Sequence, residues 1–316
     1  MKPPANQEIP PVVLLVFRRA DLTRRVIGAL REVRPPRIFI VADGPRPDVP
    51  DDAARCAEVR AVCESEIDWK PEIRREFAEG NLGLRKRVSS GLDWVFSQVD
   101  QAIVLEDDCV PRPEFFRFCA ELLDCYRGDK RVGVVTGDNF QPQPFDCGAS
   151  YYFSRFPHCW GWATWRRAWK RFDESLSRWP RLRKGGWLDG LFPGNPRAAA
   201  YWRHIFDETH AGRINSWAYG WTFACWAEKL LTATPRVNIV ENIGIGAEAT
   251  HTTADSGLVV PKGVHLDFPL VHPRKVVRLE SADSHVQSAW FGERDPGDFR
   301  IRQGRLRRLL SRLLGR

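Results

Sequence analysis

No stretch of this chain reaches about eighteen consecutive apolar residues, which argues against a membrane-spanning helix. Residues 1–10 are polar and proline-containing and carry no apolar core of the secretory-signal type, so the expected compartment is the cytoplasm. The eight cysteines form no CxxC pair and no zinc-type spacing. In a cytoplasmic chain they read as small, mostly buried hydrophobes. A GxxxxGK[ST] phosphate loop is missing, as is a GxGxxG after the first apolar run, which argues against NTPases and dinucleotide oxidoreductases. A GxSxG nucleophile elbow, an internal repeat and a low-complexity linker are also missing.

What is there reads as globular: 316 residues, 43% hydrophobic and 28% charged, enough for one large domain or two coupled ones. The net charge of +8 is concentrated at one end. Residues 299–316 hold seven arginines and no acid, so removing them leaves about +1 for the rest. A nucleic-acid partner is therefore not expected. In the same segment Leu306, Leu309, Leu310, Leu313 and Leu314 recur at helical spacing, with most arginines on the opposite face. That pattern suits a helix lying in an anionic membrane interface; the alternative is a helix docked on the protein's own surface.

The first half alternates strand and helix patterns. Apolar runs at Pro11–Phe17, Arg37–Ala42, Ala102–Leu105 and Val132–Thr136 read as strands, and Ile73–Ala78 reads as a further one. Between them lie helical patterns from Asp21 to about Val33, Asp51 to about Ile67, Leu84 to Val99 and Glu114 to about Tyr126. This regularity predicts an α/β fold, a doubly wound and mostly parallel sheet flanked by helices. From Tyr151 to Trp226 the chain is tryptophan-rich and mainly helical in pattern, with Trp162, Trp165 and Trp169 spaced to share one helix face. Glycine-bearing contexts around Trp162, Trp217 and Trp221 suit the apolar face of a sugar as well as they suit a core. Thr234–Val240 reads as a late strand, and Thr253–Asp298 as irregular.

The run Ile103-Val104-Leu105 ends in Glu106-Asp107-Asp108. Open α/β sheets bind ligands beyond the carboxyl ends of their strands, and three carboxylates there need a cation or cationic partner among them. Hard oxygen ligands suit Mg²⁺ or Mn²⁺ with a substrate diphosphate. The competing reading is a cluster at the start of the helix that Pro111 and Pro113 introduce.

Asp43-Gly44, Asn81-Leu82-Gly83 and Leu105-Glu106-Asp107-Asp108, followed by Pro113-Glu114-Phe115-Phe116, resemble the nucleotide-sugar domain of GT-A glycosyltransferases. The resemblance is to bacterial family 2-like, hemolytic-protein-like members and, distantly, to the Golgi N-acetylglucosaminyltransferase that initiates complex N-glycans. It runs through Phe156-Pro157, Gly161-Trp162, Trp179-Pro180, Ser216-Trp217 and Pro235 to Ile243, covering about residues 11–252.

The resemblance implies a Rossmann-like GT-A fold with a donor-binding half at 1–140 and an acceptor-side half at 141–252. Residues 253–298 then form an irregular segment and 299–316 a basic tail. It implies a transferase of hexosyl or N-acetylhexosaminyl type that takes a UDP-linked donor. The acceptor would be a cell-surface glycan or a lipid-linked glycan, met at the inner face of the cytoplasmic membrane during polysaccharide biosynthesis. Asp108 would ligate Mn²⁺ or Mg²⁺, and Glu106 and Asp107 would hold the donor's sugar and ribose or orient the metal's surroundings. Asp43 would contact the nucleoside, with Asn81 and Arg85 near the base or phosphates. Asp43 as a turn residue and Arg85 as an exposed helix charge are the plain alternatives. His251 would reach the metal or pyrophosphate, against a solvated loop histidine.

Related sequences carry Ser-Trp-Asp-Tyr where this chain has Ser216-Trp217-Ala218-Tyr219, and that Asp resembles a general base. Ala218 takes no proton, which leaves Glu248 or Asp138 as candidate bases. A sugar-nucleotide nucleotidyltransferase and a non-catalytic sugar-nucleotide or glycan-binding protein are the other functional readings.

Overall fold

Alternate residues of the first apolar run, Val12–Val16 (β1), point to opposite faces of a sheet and are buried on both. That double burial is why the strand reads as a continuous apolar run rather than an alternating one. The molecule is described here by a computed structural model of residues 8–143, 145–244 and 261–291. The chain continues through Ala20–Val33 (α1), Arg37–Ala42 (β2), Asp52–Ser65 (α2), Glu72–Phe77 (β3), Leu84–Gln98 (α3) and Gln101–Glu106 (β4). Cys109–Pro111 (β5), Pro113–Cys125 (α4) and Val132–Thr136 (β6) follow. The tryptophan-rich half contributes Tyr151–Ser154 (β7), Trp162–Trp165 (β8), Arg166–Trp169 (α5), Trp179–Lys184 (α6), Trp187–Leu191 (α7), Pro196–His210 (α8) and Trp217–Ala227 (α9). Leu231–Pro235 (β9), Val240–Asn242 (β10) and Glu280–Val286 (α10) complete the description, the last running into a π-helical turn at Gln287–Phe291.

Eight strands form one sheet in the order β3-β2-β1-β4-β8-β6-β9-β7. β3, β2, β1 and β4 are mutually parallel; β8 runs antiparallel to both β4 and β6, β9 is parallel to β6, and β7 closes the far edge antiparallel to β9. The expected α/β sheet with helices on both faces is the observed one. Val26, Ile27 and Leu30 of α1, Val59 and Val62 of α2 and Phe115 of α4 pack under one face. Val88, Leu92 and Val95 of α3, Ile205 of α8 and Trp221 of α9 pack under the other. Each such side chain contributes about 1.5–3 kcal/mol when fully buried.

Three local expectations are corrected. Trp162 and Trp165 do not share a helix face: they begin and end β8, and the two-residue period of a strand sends them to opposite faces of the sheet. The late strand is two strands, β9 and β10; Pro235, with no N–H to donate, ends the first. Within the segment read as irregular, residues 280–291 form α10 and its π-helical extension, whereas 253–260 and 292–298 lie outside the described residues. All eight cysteines are free thiols, five of them buried. Among the described residues no helix is long and apolar enough to cross a membrane.

Candidate functional site

After β3 the chain returns to pair β4 on the other side of β1, so the strand order reverses between β1 and β4. In open α/β sheets ligands bind in the crevice outside the strand ends at such a point. Register places Glu106 beside Leu15 and Ala42 beside Val16, which brings the ends of β2, β1 and β4 to one edge. A cavity of about 400 Å³ opens there, with walls that include Asp43, Asn81, Glu106, Asp107, Asp108 and Trp217. Its size lies within the range of small-molecule sites.

Asp43 is buried, and its carboxylate is saturated by its own turn and by the loop after β3. Oδ1 accepts the N–H groups of Gly44 at 2.8 Å and Leu82 at 2.9 Å; Oδ2 accepts the Asn81 side-chain amide at 3.0 Å and the Gly83 N–H at 3.1 Å. Asn81 also donates to the Gly44 carbonyl at 3.0 Å. A Cβ on Gly44 would lie 2.5 Å from the Gly80 carbonyl, so the two loops meet closely only because Gly44 has no side chain. Asp43 and Asn81 thus build the wall that the Asp-Gly and Asn-Leu-Gly motifs supply, and brace each other within it.

The acidic end is built by β4. Burial presses the Glu106 carboxyl above its usual range, and the charges of Asp108 and Asp107 push it further; the Trp217 indole N–H, which donates to Glu106, pulls the other way. Burial also raises Asp107, against the pull of Arg19. The Arg19 guanidinium is the counter-charge: Nη2 donates to Asp107 Oδ1 and, at 2.8 Å, to Asp108 Oδ2. Burial lowers the pKa of Arg19, but the two carboxylates outweigh it and hold the group above its ordinary value. The returning chain seals the back of Asp108. Ile243 N–H donates to the Asp108 carbonyl at 2.8 Å, and a side chain at Gly244 would overlap Asp108 Oδ2.

Among the described residues no three His, Cys, Asp or Glu side chains converge as metal ligands. The oxygens present still suit a hard divalent cation, which takes one or two carboxylates and completes its shell with phosphate and water. Among the described residues Asp108 Oδ2 carries only the Arg19 bond, and buried Asp107 Oδ2 has no hydrogen-bond partner.

Four arginines, Arg18, Arg19, Arg46 and Arg87, also line the cavity. Arg46 grips the fully buried Asp52 at 2.5 and 2.9 Å, and Arg18 reaches the same carboxylate at 3.4 Å. Arg87, itself buried, pairs with Glu76 at 2.5 Å. None of Arg18, Arg19, Arg46 or Arg87 was singled out from the sequence. Arg85 was, and it does not line the cavity. Its guanidinium donates to the carbonyls of Glu174 and, at 3.2 Å, Thr209, on the far side of α3. Two residues along a helix turn about 200°, so Arg85 and Arg87 cannot face the same way. The usable signal was that Arg87 shares its face with Leu84 and Val88, which also line the cavity.

The tryptophans separate. Trp217 stands in the cavity wall, whereas Trp162 and Trp221 lie behind it in the core, 0% and 1% exposed, with ring centroids 5.7 Å apart. Ala218, the residue in place of the related Asp, lines the cavity. Asp138 does not. It lies in the core, accepting from the Thr136 hydroxyl and, at 3.1 Å, from the Trp160 N–H, and burial raises its carboxyl to about 7. Glu248, His251 and the 299–316 tail lie outside the described residues.

No protein-family model matches the chain, and no curated protein does. Among solved structures it is similar to a mannosyltransferase from Pyrobaculum calidifontis in complex with GDP-Man and Mn²⁺. That match has 12% identity, covers 71% of this chain and 70% of that one, and has a TM-score of 0.40. A mannose-1-phosphate geranyltransferase from Thermus thermophilus has 14% identity, coverages of 72% and 74%, and a TM-score of 0.37. A 4-diphosphocytidyl-2C-methyl-D-erythritol synthase from Anaerococcus prevotii has 10% identity, coverages of 51% and 73%, and a TM-score of 0.32. The functional reading therefore rests on the cavity itself.

Proposed function

We propose that this protein is a divalent-metal-assisted glycosyltransferase that moves a sugar from a nucleotide-diphosphate donor, UDP-linked, to a cell-surface or lipid-linked glycan. The observation that carries the reading is one cavity at the sheet's reversal point, with tethered arginines in its wall and three strand-end carboxylates at its end. A nucleotide sugar has the complementary charge pattern: a diphosphate for the arginines, sugar and ribose hydroxyls for the carboxylates. Arg18 and Arg46, held by Asp52, and Arg87, held by Glu76, bind phosphate without first being ordered. The loop braced by Asp43 and Asn81 walls the nucleoside. Trp217 offers its face to the sugar while fixing Glu106, which accepts from a sugar hydroxyl. Asp108, with the free oxygen of Asp107, would hold Mn²⁺ or Mg²⁺, which supplies charge neutralisation for the departing diphosphate. The basic, leucine-striped tail would keep the enzyme at an anionic membrane face, close to a lipid-linked acceptor.

A second reading, a non-catalytic sugar-nucleotide-binding protein, is favoured by one observation: Ala218 faces the cavity where a base would stand. A panel of nucleotide sugars, scored by thermal stabilisation with Mn²⁺ and with EDTA, tests the site, because a bound ligand raises apparent stability by mass action. Asp108→Asn is expected to fold and to lose the metal-dependent part of that stabilisation; stabilisation by UDP that EDTA leaves unchanged would refute the metal assignment. Release of nucleoside diphosphate in the presence of donor and acceptor separates enzyme from binding protein.

A further inference from the structure

Arg19 stands immediately before the first turn of α1 and reaches from the end of β1 to the end of β4, its neighbour in the sheet. Its single Nη2 serves both Asp107 and Asp108, whose side chains are 5% and 12% exposed. Among the described residues no other cationic side chain pairs with either carboxylate. Two adjacent carboxylates in a low-dielectric wall require a positive charge, and the chain provides its own. The fit is incomplete: among the described residues buried Asp107 Oδ2 has no partner, and it is an acceptor that a charge centred between the two groups would use.

We propose that Arg19 is an internal counter-cation occupying the divalent-cation position of the proposed donor site, so that Arg19 and a metal ion exclude each other at Asp108. The inference rests on the donor-site reading and adds a rule of assembly to it. In the nucleotide-free protein the metal meets an occupied carboxylate, and its apparent affinity is reduced by the fraction of molecules in which Arg19 is engaged. An arriving diphosphate offers the guanidinium another anion, because Arg19 and Arg18 line the same cavity. The donor therefore brings ligands for the metal and releases the residue that blocks it. Metal enters with the nucleotide and not before it, which makes the two binding events positively coupled. The arrangement also keeps the paired carboxylates neutralised between turnovers.

The test is Mn²⁺ binding to the full-length, nucleotide-free protein, followed by calorimetry and by the spin resonance of free Mn²⁺. Arg19→Met keeps most of the stem and removes the charge; it is expected to bind Mn²⁺ about tenfold more tightly than wild type, or better, from the usual size of such couplings. Arg19→Lys keeps a charge but lacks the planar fork, and should fall between the two. Arg19→Lys also decides the matter if Arg19→Met does not fold. Equal Mn²⁺ affinity in wild type and variants, or tighter binding by wild type, overturns the exclusion while leaving the metal site in place. No Mn²⁺ binding by any of the three, with UDP still stabilising each protein, removes the metal site and the exclusion with it.

Discussion

Asp43 Oδ1 accepts the backbone N–H of Leu82 at 2.9 Å, joining the end of β2 to the loop after β3 across 39 residues of sequence. With its three companion bonds this makes Asp43 a structural brace of the cavity wall. Asp43→Ala leaves Leu82 and Gly83 N–H groups without acceptors and is expected to cost about 3 kcal/mol, from the usual worth of hydrogen bonds to a charged acceptor. It should also abolish nucleotide binding. Urea denaturation and UDP titration measure the two effects; a variant as stable as wild type would show that the brace is dispensable.

Asp138 makes stability depend on pH in a direction that can be worked out. Burial is the largest influence and raises its carboxyl from about 3.8 to about 7, while the Thr136 hydroxyl and the Trp160 and Asp138 N–H groups pull it down. The folded protein therefore holds a proton that the unfolded chain has released between those values. The associated stability is complete below about pH 4 and is lost as pH rises through 7, on the order of a few kcal/mol in all. Asp138→Asn should remove this slope. Melting temperatures of wild type and variant from pH 4 to 8 are expected to converge or cross as pH rises; a constant difference would mean that Asp138 is ionised in the fold throughout.

Of the two candidate bases, Asp138 lies in the core and Glu248 lies outside the described residues, so the candidacy of Glu248 is tested by substitution. Glu248→Gln should lower kcat about 100-fold or more while leaving the donor Kd unchanged, the usual signature of a lost general base. Because position 218 faces the cavity, Ala218→Asp in the Glu248→Gln background should recover part of the loss. Steady-state release of nucleoside diphosphate reads both changes, and an unimpaired Glu248→Gln enzyme would move the base elsewhere.

Deletion of residues 299–316 should release the protein from anionic liposomes and spare turnover of a soluble acceptor analogue. Each arginine near an anionic surface adds about 1 kcal/mol, an effect that weakens with salt. Liposome flotation at low and high salt is the measurement. Unfolding of the truncated protein, or indifference of the full-length protein to the liposomes, would make the segment structural.

The first half of the molecule was legible in its sequence because its signals are local. Val12–Val16, Arg37–Ala42 and Gln101–Glu106 are buried on both faces, so they read as unbroken apolar runs. Three acids at the end of one such run mark the edge of a sheet before any neighbour is known. The tertiary structure decided what those acids meet. Arg19 lies 88 residues before Asp107 and becomes its partner only because β1 and β4 are adjacent in the order β3-β2-β1-β4. The choice of Arg87 over Arg85 depended on which face of α3 turns to the cavity, and the separation of Trp162 from Trp165 on β8 being a strand rather than a helix. The capture of Asp43 by the 81–83 loop needed two loops brought within a hydrogen bond of each other. Local patterns set the periodicity and burial of each element. Which charges neutralise one another is set by strand order and packing, and these join residues that no short window of sequence contains together.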